Sequence, residues 1–336
     1  MVSELSVVDQ LMPAGEQSLV DEMLWQSRYA LLLRPQIIGN LTSDEAARTR
    51  AAFSEKMCLV PSGEVALHPL PEDEDGPTPA SNRRTPLHVE AYYLDRYPVT
   101  NAQFQQFVAG GGYEQIAIWD REIWPAVLDF VDQTGHPGPR FWRNGRPPRA
   151  EADHPVVGVC WYEAWAYSRW VGKRLATDAE WVKAGSWPVS MAGHPLLERR
   201  YPWGDAMDRV RANLWGSGAG RTVSVEQFPL GVSVGGVHQL IGNVWEWTGD
   251  PFTLEDASPE ANVALQPKMK SIHGGAFDTY LDTQATCQFR SGDYALARKH
   301  NIGFRSAIGM CDLSTTDGSA EPDSVPQQSP VIAETV

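Results

Sequence analysis

Apolar and polar positions along this chain follow short patterns whose period changes often. From Leu19 to Leu33 the run is mostly apolar, with Glu22, Gln26 and Arg28 interspersed, and it meets Arg34 and Pro35. A residue before proline is pushed out of the α region, so the pattern predicts a helix that stops there. Three further helix starts have the form of capping boxes: Thr42 with Glu45, Thr100 with Gln103, and Thr177 with Glu180. In each, the threonine hydroxyl can accept from the N–H three residues on, while the longer side chain reaches back to the threonine N–H. The predicted helices continue to about Lys56, through Phe104, Phe107 and Val108 to the glycines at 110–112, and through Trp181 and Val182. Another helix is expected over 162–171. Strand-like runs fall at 58–61, with 63–67 as its hairpin partner, and at 88–94, 155–160, 241–247, 271–277 and 303–308. Residues 113–153 and 201–242 hold Gly, Pro and Trp without a period and are expected to be irregular. No internal repeat is visible.

Composition narrows the class. The 336 residues are 42% hydrophobic and 21% charged, values of a globular protein long enough to bury a core without disulfides. Lys and Arg number 28 against 42 Asp and Glu, a net charge of −14. That balance argues against nucleic acid or an anionic membrane as partner through bulk electrostatics, and leaves room for a local basic patch. No run approaches the roughly 18 apolar residues of a membrane span. Cys58, Cys160, Cys287 and Cys311 show no CxxC pairing, and a reducing cytoplasm is the expected compartment. Thirteen tryptophans with 29 glycines and 25 prolines point to turns and aromatic clusters, away from a helical bundle. Residues 70–86 form an acidic, proline-rich loop. The tail at 312–336 carries five acids with no Lys, Arg or aromatic, and is expected to be disordered. The organisation read from these features is a helical segment at 1–57, a domain at 58–311 and an acidic tail at 312–336.

Five blocks in order carry a resemblance. They are YLDRYPVTN at 93–101; PVVGVCWYEA at 155–164 with KRLATDAEW at 173–181; RYPWGD at 200–205 with ANL at 212–214; GNVWEWT at 242–248; and HGGAF at 273–277 closing on IGFR at 302–305. Together they resemble the formylglycine-generating enzyme (sulfatase-modifying factor) superfamily over about 58–310. The 15-residue spacing from Arg290 to Arg305 is similar to the C-terminal domain of the ergothioneine sulfoxide synthases. The resemblance implies an α+β, C-type-lectin-like fold with little regular secondary structure, here preceded by a short helical segment.

The resemblance also sets chemical expectations. Formylglycine enzymes use two cysteines to bind copper, and soft thiolates suit Cu(I). The matching positions fall on Thr279 and near Thr286, with Cys287 one residue away. The sulfoxide synthases hold iron with three histidines on a preceding helical bundle, whereas residues 1–57 contain no histidine and no two histidines of the chain lie four residues apart. Neither Fe nor Cu therefore has recognisable ligands. A structural Ca²⁺ is the cofactor implied, through the carbonyls of Ile241, Gly242 and Val244 and the Glu246 carboxylate, since calcium takes several oxygens from turning backbone. The alternative for Glu246 is an arginine or backbone amides. The implied ligand region comprises Trp245, Phe277, Asp278, Thr279, Tyr280, Arg290, Asp293, Tyr294 and Arg298. The expected function is a ligand- or protein-binding accessory module, with a small molecule or a protein as partner; the alternative is a divergent non-haem-metal oxidoreductase.

Overall fold

The computed structural model describes residues 18–67, 86–191, 196–217, 219–253 and 269–313. Nearly all of the loop expected over 70–86 and of the tail expected over 312–336 lies outside the described residues.

The run predicted as one helix over 19–33 forms two, α1 (Leu19–Trp25) and α2 (Tyr29–Leu32), after which come α3 (Pro35–Ile38) and α4 (Ser43–Lys56). Ser27 adopts φ 59°, which breaks the run eight residues before the proline. The break puts the Arg28 guanidinium 4.9 Å from the Trp170 ring centre, with Nε donating to the Trp170 carbonyl. Tertiary contact overrides the helical pattern here. Pro35 starts α3 at its first turn, where a missing N–H costs nothing. α4 has the Thr42–Glu45 box with both of its bonds in place.

Strands β1 (Met57–Val60), β2 (Gly63–Val65), β3 (Leu87–Val89) and β4 (Tyr92–Asp95) follow. The hairpin expected between 58–61 and 63–67 does not form. β1 pairs antiparallel with β4, and β2 with β3, so the run at 88–94 is two strands in different sheets. Burial decides this: Met57, Cys58 and Val60 are buried beside β4, an environment that β2 does not offer. Next come α5 (Asn101–Ala109), α6 (Trp124–Val127), α7 (Trp161–Trp170), β5 (Arg174–Leu175) and α8 (Asp178–Ser186). The stretch at 155–160 is not a strand; its only ladder contact is the bridge of Pro155 to Thr100. The last strands are β6 (Trp245–Pro251), β7 (Met269–His273), β8 (Arg290–Tyr294), β9 (Ile302–Phe304) and β10 (Ser306–Gly309). β8 has no apolar alternation, and only its ladder with β7 makes it a strand.

Two four-stranded sheets result, β1-β4-β10-β5 and β8-β7-β6-β9, with β2-β3 as a separate ribbon. Arg305 is the single residue between β9 and β10, so the chain crosses from one sheet to the other at that side chain. Aromatic packing fills the space between helices and sheets. Phe104 meets Phe107, Trp142, Tyr167 and Phe304 at ring separations of 5.2 to 6.2 Å. The N-terminal helices share a core with the first sheet, in which Phe53 lies between Tyr29 and Tyr93 and packs with Met57 and Ile308. Among the described residues no helix is long and apolar enough to cross a membrane.

Candidate functional site

Two groups of functional side chains assemble around the second sheet. One is sealed and charged; the other reaches the surface.

The sealed group begins at the inter-sheet crossing. Arg305 Nε and Nη2 donate to the two oxygens of Glu246, each at 2.7 Å, and Trp181 Nε1 donates to Oε2 at 2.8 Å. Arg305 also donates to the carbonyls of Asp95 and His238. The side chains of Arg305 and Glu246 are 1% and 0% exposed. The Glu246 carboxylate thus belongs to arginine, the alternative that the sequence left open. Its charge is balanced there, and a divalent ion at the same carboxylate would face a guanidinium. Gly242, also named for calcium, has φ +82°, and a Cβ there would lie 2.6 Å from the Asn213 carbonyl oxygen. The turn at 241–244 thus requires glycine for a close backbone approach, with Val244 N–H donating to the Gly242 carbonyl.

Behind Trp181 the network continues. The His273 ring stacks on Trp181 at 4.9 Å, and its Nε2 lies 3.1 Å from Asp178 Oδ1. Thr248 donates to the same oxygen, and Arg290 Nη1 approaches Oδ2 at 3.4 Å. Burial alone pushes the Asp178 carboxyl up, but the charge and hydrogen bond of His273, with hydroxyl bonds from Thr248 and Ser271, hold it down at about 2. The pair is a buried Asp–His contact, 4% and 1% exposed.

The second group opens to solvent. Trp245 begins β6, is partly exposed, and faces Phe289 at 6.1 Å. Its backbone N–H donates to the Asn301 carbonyl. Asn301 Nδ2 donates to both oxygens of Asp278, at 3.0 and 3.1 Å. His300, 64% exposed, has Nε2 3.5 Å from Asp278 and its ring 5.7 Å from Phe277. Asn301 Oδ1 is buried and accepts no hydrogen bond. The local chemistry is therefore two acceptors, a carboxylate and an amide oxygen, beside aromatic rings.

The structure brings together Trp245, Phe277 and Asp278 from the expected ligand region and adds His300, Asn301 and Phe289. These three lacked a motif; only the loop geometry brings them in. The remaining expected residues go elsewhere. Thr279 Oγ1 accepts from the Ala276 N–H and caps its own turn. Arg290 donates to the Thr253 carbonyl and lies over Phe252. Arg298 pairs with Glu163 and donates to the carbonyls of Gly158, Val131 and Gly138, so its guanidinium holds loops together. Asp293 pairs with Lys299, and Tyr294 is exposed. Tyr280, 70% exposed, faces Trp215.

Thr279 and Thr286 supply hydroxyls, each already accepting a backbone N–H. Cys287 is fully buried, burial pushes its thiol far up, and its sulfur sits so close to Gly185 that a Cβ there would lie 2.9 Å away. No group of three or more His, Cys, Asp or Glu suited to a metal occurs among the described residues.

The chain matches the "Sulfatase-modifying factor enzyme 1-like domain" model over residues 42–310. It is 37% identical over 253 residues to a protein named hercynine oxygenase from Mycolicibacterium thermoresistibile, covering 69% of this chain and 54% of that one. It is 31% identical over 320 residues to the formylglycine-generating enzyme of Streptomyces coelicolor, covering 82% and 94%. The matched region thus spans about half the length of the first of these relatives. In three dimensions it resembles PvdO from Pseudomonas aeruginosa, with TM-score 0.51 at 19% identity over 76% of this chain and 94% of that one, which bears on the fold alone.

Proposed function

This chain belongs to the sulfatase-modifying factor enzyme 1-like domain family, and from that premise we propose that it is an accessory module of the family that binds a small ligand carrying a hydrogen-bond donor or cationic group. One observation carries the reading: the buried Asn301 oxygen accepts no bond and stands beside the Asp278 carboxylate. A buried acceptor without a partner loses its solvation with nothing in return, and a donor from a ligand restores it. The rings of Trp245, Phe277 and Phe289 supply the apolar and cation-attracting surface around such a group.

In this reading Asp278 holds the ligand's donor by charge and hydrogen bond. Asn301 orients Asp278 through its amide and presents its own oxygen to the ligand. His300 forms the solvent-side wall. Whatever redox chemistry the ligand undergoes would take place at a metal centre carried by another polypeptide or another segment. Hercynine, named in the 37%-identical relative, is the first ligand to test. The second reading is a divergent non-haem-metal oxidoreductase, favoured by that relative's name.

Calorimetric titration with hercynine, together with elemental analysis and oxygen uptake, separates the readings. The module reading expects saturable binding that Asp278→Asn weakens about tenfold or more, the loss of one charge-assisted bond, with no oxygen uptake. Near-stoichiometric iron or copper with ligand-dependent oxygen uptake would establish the oxidoreductase instead. Absence of binding to hercynine and to related amino-acid cations would remove the cluster as a site.

A further inference from the structure

The chain is strongly acidic, yet residues 140–149 carry Arg140, Arg143, Arg146 and Arg149, all exposed. None of the four forms an ion pair with a carboxylate of the described residues, although Asp129, Glu151 and Asp153 flank the segment. The local geometry is a tight hairpin. Arg143 and Arg146 exchange both backbone hydrogen bonds, N–H to carbonyl, at 3.1 Å. Asn144 at φ 53° and Gly145 at φ 66° make the two-residue turn between them. Residues directly opposite in such a pair point to the same face, with α-carbons about 5.5 Å apart. The two arginine side chains therefore start from the same face of the turn, and like charges directly opposite across a ladder oppose each other.

The hairpin is pinned in place. Gly145 N–H donates to Asp132 Oδ2 at 2.8 Å, and Asn144 N–H to Thr134 Oγ1 at 2.7 Å. The other oxygen of Asp132 accepts from the backbone of Thr134 and His136. Asp132 is buried, so the one acid at the base of the hairpin is committed to holding its backbone. Among the described residues the Arg143 side chain makes one hydrogen bond, from Nε to Gln133 Oε1 at 2.9 Å.

We propose that this arginine hairpin is a docking surface for an acidic segment of a protein partner. Two arginines anchored on one face of a pinned turn, with two more in the same exposed segment, match a row of carboxylates, each of which a planar guanidinium can grip bidentately. The bulk charge disfavours nucleic acid. The net charge of −14 repels an extended polyanion. Of the two aromatic residues inside the arginine run, Trp142 is 2% exposed with Nε1 bonded to Asn101, which leaves the half-buried Phe141, 6.5 Å from the His300 ring, as the one partial stacking surface of the run. A short acidic peptide needs neither long-range attraction nor a stacking platform.

The test uses the full chain and a fluorescent peptide of about ten glutamates, read by anisotropy at low salt and again at about 0.5 M salt. The expected result is binding that a glutamine peptide of equal length does not reproduce, that high salt abolishes, and that exceeds binding of a single-stranded oligonucleotide of equal charge. The double variant Arg143→Gln/Arg146→Gln should bind about tenfold more weakly, with an unchanged near-ultraviolet circular dichroism spectrum. The Arg143→Lys/Arg146→Lys variant should recover part of the loss, since it keeps the charges but not the forks. Equal binding by the glutamine variant, tighter binding of the oligonucleotide, or no binding of the glutamate peptide at low salt would each overturn the proposal.

Discussion

Glu246→Gln is the substitution that tests the architecture most directly. Glu246 lies on β6 and its partner Arg305 lies between β9 and β10, so the pair ties the two sheets together. Glutamine keeps the shape and leaves an oxygen for Trp181. The charge is lost, and Arg305 becomes a buried cation left with uncharged partners, among them the carbonyls of Asp95, Arg96 and His238. Removing one member of a buried pair typically costs about 3–5 kcal/mol, because the remaining charge is uncompensated. For a domain of this size that corresponds to a fall in Tm of roughly 6–15 °C. Urea titration and calorimetry measure both quantities. Glu246→Gln/Arg305→Met should recover part of the loss, since it removes the stranded charge as well. A loss below about 1 kcal/mol, the value of an exposed pair, would refute the argument. So would a rise in Tm with added Ca²⁺ that wild type shows and Glu246→Gln does not, because that would give the carboxylate back to an ion.

Two further predictions follow from the sealed groups. Asp178, held at about 2, contributes stability that is fully present above the ordinary carboxyl value of about 3.9 and is lost as the pH falls through about 2. The contribution is on the order of 2–3 kcal/mol, and acid titration of unfolding in Asp178→Asn should show a correspondingly shallower slope between those limits; an unchanged slope would sink the assignment. Cys58, Cys160 and Cys287 are buried and Cys311 is exposed. Native protein should therefore release one fast thiol to a disulfide reagent and all four only after denaturation, and Cys311→Ser should abolish the fast phase.

Much of the local structure was legible because its causes are local. The boxes at Thr42, Thr100 and Thr177 each satisfy their own orphan N–H groups within one turn, so those helices start where the pattern places them. The block order was enough to read the family and its lectin-like fold. Pairing was not legible. β1 and β2 look like a hairpin in sequence, yet β1 is claimed by β4, because a buried face is settled only against its neighbour. The helix expected over 19–33 is broken at Ser27, where Arg28 is drawn to Trp170, far away in sequence.

The candidate site divides the same way. Trp245, Phe277 and Asp278 could be named from blocks shared with the family. His300 and Asn301 sit in no block, and only folding brings Asn301 to Asp278 across 23 residues of chain. Glu246 shows the limit most plainly. Its residue type suits calcium or arginine equally, and nothing near it in sequence chooses between them. The sequence by itself determined the helix starts, the turn-rich aromatic composition and the family fold, because each is written in residue type and short spacing. Only the tertiary structure decided which charges meet. An ion pair depends on distance in space, and Arg305 reaches Glu246 only once the chain has crossed from one sheet to the other.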